Sequence, residues 1–188
     1  MVKLLSKWGE GMKITCFLAV LTVTTVFATG CVSGRIHEKS YLRAVSVTGN
    51  SEKSAVFALF GEDKTVSGIG EDLDQVKSNA ELKNGRDLFT GYTELIIVDG
   101  KECKKLLEHM LYKWKVSPSC NVVYCEKGDE LLEKYGVEQL IGVSKQAVKK
   151  GVSPECNIIT VLGELCENGI AKVAELRVDG TVQSYVIY

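Results

Sequence analysis

Residues 92–100 read YTELIIVDG. Leu95 to Val98 are four consecutive large apolar residues between a polar start and an Asp-Gly stop. A strand with no polar face belongs in the middle of a sheet, covered on both sides. Working outward, the stretch is bracketed by helical patterns. EDLDQVKSNAELKNG (71–85) spaces Leu73, Val76 and Ala80 by three and four, with acidic residues at its start and Asn84-Gly85 at its end. That spacing predicts an amphipathic helix with a C-terminal glycine stop. On the other side Cys103, Leu106, Leu107, Met110 and Leu111 form one buried helical stripe.

The alternation continues in both directions. LRAVSVTG (42–49) and SAVFALFG (54–61) are rich in β-branched and aromatic residues and read as a hairpin across Asn50 to Lys53. SPSCNVVYCEKG (117–128) gives another strand, and DELLEKYG (129–136) a short helix closed by Gly136. VEQLIGVSKQAVKKG (137–151) follows as a second helix. Ser153-Pro154 reads as an N-cap and first-turn pair opening a helix over ECNIITVLGELCENG (155–169). The last nineteen residues, IAKVAELRVDGTVQSYVIY, read as a hairpin around Asp179-Gly180. The expected fold is therefore α+β (mixed α/β): small mixed sheets flanked by helices, in two subdomains behind a signal peptide. The boundaries are 1–31 for the leader, 32–136 for an N-terminal α/β domain, and 137–188 for a second α+β subdomain, whole or truncated, whose closing hairpin is only marginally stable by itself.

The leader is read from KITCFLAVLTVTTVFATGC (13–31). Ile14 to Ala28 carries no charge, and Thr15, Thr22, Thr24 and Thr25 scatter round a helix instead of forming a polar side. The run is short for a bilayer span of about 20 residues. Lysines in front and small residues behind suit a secretory signal. Ala28 and Gly30 before Cys31 resemble the bacterial lipobox, whose cysteine is lipidated and becomes the mature N-terminus; leucine is commoner at the place of Ala28. An uncleaved anchor and plain secretion, with cleavage after Val26-x-Ala28, are the competing readings. Met12-Lys13 also reads as a start, which would make residues 1–11 a lengthened basic region or a misplaced initiation site. Every one of these readings expects the rest of the chain outside the cytoplasm.

The leader holds Lys3, Lys7, Lys13 and Glu10, so 20 of the 23 basic and 23 of the 24 acidic side chains lie beyond Cys31. A mildly negative chain has no electrostatic footprint for nucleic acid. Membrane attachment would come from the lipid, and two acyl chains suffice where one does not. With Cys16 in the leader and Cys31 lipidated, Cys103, Cys120, Cys125, Cys156 and Cys166 remain, an odd number with no C-x-x-C pair. Five residues of strand hold Cys120 and Cys125 about 16 Å apart, beyond disulfide reach. Small buried hydrophobes are the expectation for these thiols.

No enzyme signature emerges. His37 falls in the tether and His109 beside the apolar stripe, neither at a spacing that defines a triad. GEDKTVSGIGEDLDQ (61–75) carries Gly68-x-Gly70 before a helix, but Leu73 stands where a dinucleotide loop has its third glycine. Glu71, Asp72 and Asp74 would repel a pyrophosphate. The expectation is a turn feeding a helix. Glu126, Asp129, Glu130 and Glu133 read as a solvated charge cluster. No catalytic residue, cofactor or metal ligand is assigned.

In order, Gly30-Cys31, GRIHEKSYLRAVSV (34–47), LFTGYTELIIVDG (88–100) and VSPSCNVVYCEKGDELLEKYG (116–136) resemble the N-terminal half of the C subunit of spore nutrient-germinant receptors, the Ger(x)C lipoprotein family. Two departures stand out: Val32-Ser33 in place of an aromatic-acidic pair, and Tyr92 where histidine is common. The family's length implies three domains, and this chain would end within the second. The resemblance implies a non-enzymatic lipoprotein at the outer face of the spore inner (or cell) membrane. It also implies a diacyl group on Cys31 and contacts with integral-membrane receptor subunits of the A and B types. The alternative is an extracytoplasmic lipoprotein binding a small ligand, unrelated to germination.

Overall fold

The computed structural model describes residues 38–49, 52–61 and 65–188. The expected leader, Cys16, Cys31 and His37 lie outside the described residues. The chain order is β1 (Lys39–Thr48), β2 (Lys53–Leu59), β3 (Thr65–Gly70), α1 (Leu73–Asn84), β4 (Asp87–Phe89), β5 (Leu95–Val98), α2 (Cys103–Tyr112), β6 (Asn121–Tyr124), α3 (Gly128–Lys149), α4 (Ile158–Asn168), β7 (Ala171–Leu176) and β8 (Val182–Ile187).

All eight strands join one mixed sheet, ordered β3-β2-β1-β5-β6-β7-β8, with β4 paired to the start of β1. β1, β5, β6 and β7 run parallel. β2 and β3 add antiparallel at one edge and β8 at the other. β5 lies between β1 and β6 with Leu95 to Val98 fully buried, as a strand apolar on both faces requires. Each such side chain contributes about 1.5–3 kcal/mol by leaving water. The α+β class is as expected. Residues 137–188, expected as a second subdomain, instead add β7 and β8 to the same sheet. His37–Tyr188 forms one compact unit.

Successive strand residues point to opposite faces, which assigns the layers. Val47 pairs with Ala55 and Ala55 with Gly68; on this face Gly68 lies against α1. A methyl group there would sit 2.0 Å from the Val76 carbonyl oxygen. Phe57 shares that face and meets Trp114, just past α2, at 5.7 Å between rings. α2 and α4 pack on each other, and α4 on β6 and β7. Ser46 and Ile97, paired in register, face the other way. They receive Gly128 at the start of α3, where a methyl group would lie 2.3 Å from the Ser46 hydroxyl. α3 crosses β1, β2, β5, β6 and β7 on this second face.

Two local expectations change and one holds. The turn expected at Gly68-x-Gly70 is the edge strand β3, where Thr65, Val66 and Ile69 supply β propensity and Gly68 permits helix contact. Gly136, at φ 67 and ψ 162, breaks α3 where the first helix was expected to close, and the second expected helix runs on from there to Lys149. Ser153-Pro154 does not open α4. The Val122 amide donates to the Cys156 carbonyl and the Ile158 amide to the Cys120 carbonyl. These bonds hold the chain extended to Asn157, whose side chain caps α4 by accepting from the Thr160 amide. The expected ends of α1 are found: Asp72 accepts from the Gln75 amide, and Gly85 ends the helix in the left-handed region.

Candidate functional site

In open parallel sheets ligands bind beyond the carboxyl ends of the strands. Here that end is filled by its own side chains. Tyr124 of β6 and Tyr185 of β8 stack face to face at 3.8 Å. The buried Glu175 carboxylate accepts from Arg177 Nε at 2.7 Å and Gln183 Nε2 at 2.6 Å. Burial, then the bond to Tyr185, pushes the Tyr124 hydroxyl well above its usual range. Both Glu175 carboxylate oxygens are therefore engaged within the protein. The Asp99 carboxylate accepts from the Gly49 and Lys101 amides, tying the ends of β1 and β5 together.

The opposite, amino end of the sheet is open. A cleft of about 670 Å³ lies between Arg43, Leu59 and Gly61 and the kinked segment Gly136 to Glu138 of α3. A second hollow of about 380 Å³ is lined by Tyr92, Glu94, Ser119, Asn121 and Lys145. Arg43 stands between them. Its Nε donates to Glu94 Oε1 at 2.8 Å and its Nη1 to Glu138 Oε2 at 2.5 Å. These two bonds, Glu94 first, raise the guanidinium pKa further. One guanidinium thus engages two carboxylates from different elements. Glu138 is 82% exposed, so an incoming anion can displace it and take its place on Arg43.

Rings surround this end. Tyr41 lies 5.4 Å from Phe89 and 5.6 Å from Tyr92, and Phe89 lies 5.6 Å from Tyr92. Phe60, whose amide donates to the Tyr41 carbonyl, lies under the Arg43 guanidinium at 5.7 Å. Gly91 leaves the Phe89 ring its place, since a methyl group there would lie 2.9 Å from it. The rings come from positions 41, 60, 89 and 92. Only the Phe89–Tyr92 spacing is visible in one stretch of sequence, which is why no pattern announces the cluster.

The other candidate residues are placed as follows. Cys31, the assigned lipid site, lies outside the described residues. His109 Nε2 meets Asp74 Oδ1 at 2.8 Å, and Trp114 Nε1 donates to the same oxygen at 3.3 Å. Desolvation pushes the Asp74 carboxyl upward, but the bonds from His109 and Trp114 outweigh it and hold its pKa below the usual value. This pairing of α1 with α2 spans 35 positions. Cys103, Cys120, Cys125 and Cys156 are buried free thiols, and Cys166 is free and exposed. Burial pushes the Cys103 thiol up to about 12, assisted by Asp99, far from reactive thiolate behaviour. In the acidic cluster Glu126, Glu130 and Glu133 face solvent, while Asp129 turns one oxygen inward. Among the described residues no group of His, Cys, Asp or Glu is placed to hold a metal ion. No helix among them is long and apolar enough to cross a membrane. Comparison with protein-family models, curated proteins and solved structures finds no match for the chain.

Proposed function

We propose that this chain is a membrane-anchored, non-enzymatic lipoprotein that works through protein–protein contacts, as the C subunit of a spore nutrient-germinant receptor does. The carrying observation is the junction of leader and fold: β1 begins at Lys39, eight positions past the lipobox-like Gly30-Cys31. A diacyl group on Cys31 would confine the sheet to a plane and raise its effective concentration beside integral-membrane A and B subunits. The resemblance to the Ger(x)C family, carried by Gly30-Cys31 and the three longer motifs quoted above, supports the same reading.

Replacing Cys31 with alanine tests it. The variant should fold as the parent does but leave the membrane fraction, and metabolic labelling with palmitate should mark only the parent. Retention of Cys31→Ala on the membrane, or an unacylated parent in the cytosol, refutes the proposal. The cleft beside Arg43 favours one second reading, an extracytoplasmic lipoprotein that binds a small anion there. Arg43→Gln would abolish anion binding under that reading and leave receptor assembly untouched.

A further inference from the structure

The aromatic cluster lies where the folded unit begins. Phe60, Phe89 and Tyr92 are 66%, 38% and 66% exposed, with Tyr41 half-buried behind them. Phe89 and Tyr92 touch each other and Tyr41, and Phe60 follows β2 next to Tyr41, so exposed rings gather at this end of the sheet, the kind of apolar patch that marks a contact surface. At the rim, Lys39 Nζ lies 5.8 Å from the centre of the Phe89 ring, and the exposed Arg86 is near in sequence. Glu38 and Asp87 oppose them, so the charges nearly cancel and the rings dominate. Aromatic side chains edged by long basic ones suit the headgroup layer, where an apolar body and a polar tip are both satisfied.

Chain length selects the occupant. From Cys31 to Glu38 a fully extended link reaches at most about 25 Å. The carboxyl end, with the Tyr124–Tyr185 stack, lies level with Val47, eight residues or about 26 Å of strand along β1 from Lys39. A link no longer than that rise cannot reach the bilayer if the sheet stands on its carboxyl end, so of the two ends the ringed one is held near the membrane. Resting on the anchoring reading above, we infer that Phe60, Phe89 and Tyr92 dock on the surface of the membrane to which the chain is tied. The sheet then stands end-on, with β1 rising from the bilayer.

The test uses the full chain in its anchored form, in vesicles of equimolar phosphatidylcholine and phosphatidylglycerol with brominated acyl chains. Tyr92→Trp places an indole in the cluster, and Gln183→Trp places one at the far end of the sheet. Trp114 is common to both. Bromine should quench the added indole of Tyr92→Trp about threefold or more beyond that of Gln183→Trp, as a depth of about 5–10 Å into the interface requires. Adding Phe60→Ser and Phe89→Ser should remove the excess without releasing the chain. Equal quenching at both positions in an anchored chain overturns the docking inference and leaves anchoring intact. A soluble, unacylated parent overturns the anchoring reading instead. Vesicles added to that soluble chain still decide the face, since excess quenching of Tyr92→Trp upholds it and its absence overturns it.

Discussion

Replacing Gly68 with alanine drives a methyl group into α1. Its position would be 2.0 Å from the Val76 carbonyl oxygen, 2.9 Å from that carbonyl carbon and 3.2 Å from the Ala80 amide nitrogen. All three are backbone atoms, so no side chain can swing aside. The helix must lift by more than an ångström, and Leu73, Val76 and Ala80, which it buries, lift with it. Overpacking of this kind costs about 1–3 kcal/mol. For a protein of this size that lowers Tm by about 2–12 °C. Gly142 and Gly163 are the controls: both lie inside helices with nothing within 4 Å of an added methyl group. There the same substitution should stabilise by about 0.5–1 kcal/mol, because alanine loses less backbone freedom on folding. Thermal melts followed by circular dichroism, with urea titrations to check that the m-value is unchanged, read both signs. A Gly68→Ala protein that melts no lower than its parent refutes the packing of α1 on β3, and a fall for Gly142→Ala refutes the steric reasoning.

Three further outcomes follow from the same structure. Gly136→Ala should destabilise by about 1–3 kcal/mol, because φ 67 with ψ 162 is a region only glycine occupies without strain; the space around it is open, so a smaller residue at a neighbouring position should not rescue it. The Asp74 carboxyl has a depressed pKa, so its contribution is present above the unfolded carboxylate pKa of about 3.9. It is lost as pH falls through the lower folded value, and Asp74→Asn should flatten the acid limb of a stability profile measured by urea denaturation. Among Cys103, Cys120, Cys125, Cys156 and Cys166, iodoacetamide should modify only Cys166 in the native protein, read by peptide mass, and all five after unfolding; rapid native labelling of Cys103 would contradict its burial.

What was legible in the sequence tracks what is local. Caps, helical spacing and the apolar run at Leu95 to Val98 depend on neighbours a few residues apart, and α1, α2 and β5 were expected close to where they stand. β3 was hidden because its two glycines resemble a turn until the helix they accommodate is seen. β4 has three residues and exists through its pairing with the start of β1. The Ser153-Pro154 cap failed for a tertiary reason: hydrogen bonds to β6 keep the chain extended past it. The open amino end was illegible because Arg43 meets Glu94 and Glu138 across 51 and 95 positions, distances over which composition and periodicity carry no signal.

The order of the parallel strands has a kinetic consequence. Val45 of β1 pairs with Ile96 of β5, and Val123 of β6 with Ala174 of β7, so each join closes a loop of about fifty residues before any hydrogen bond rewards it. Such non-local closure slows folding. The sheet cannot knit shut until β7 is free to pair, so the edge of β6 waits unpaired for a strand about fifty residues further along the chain.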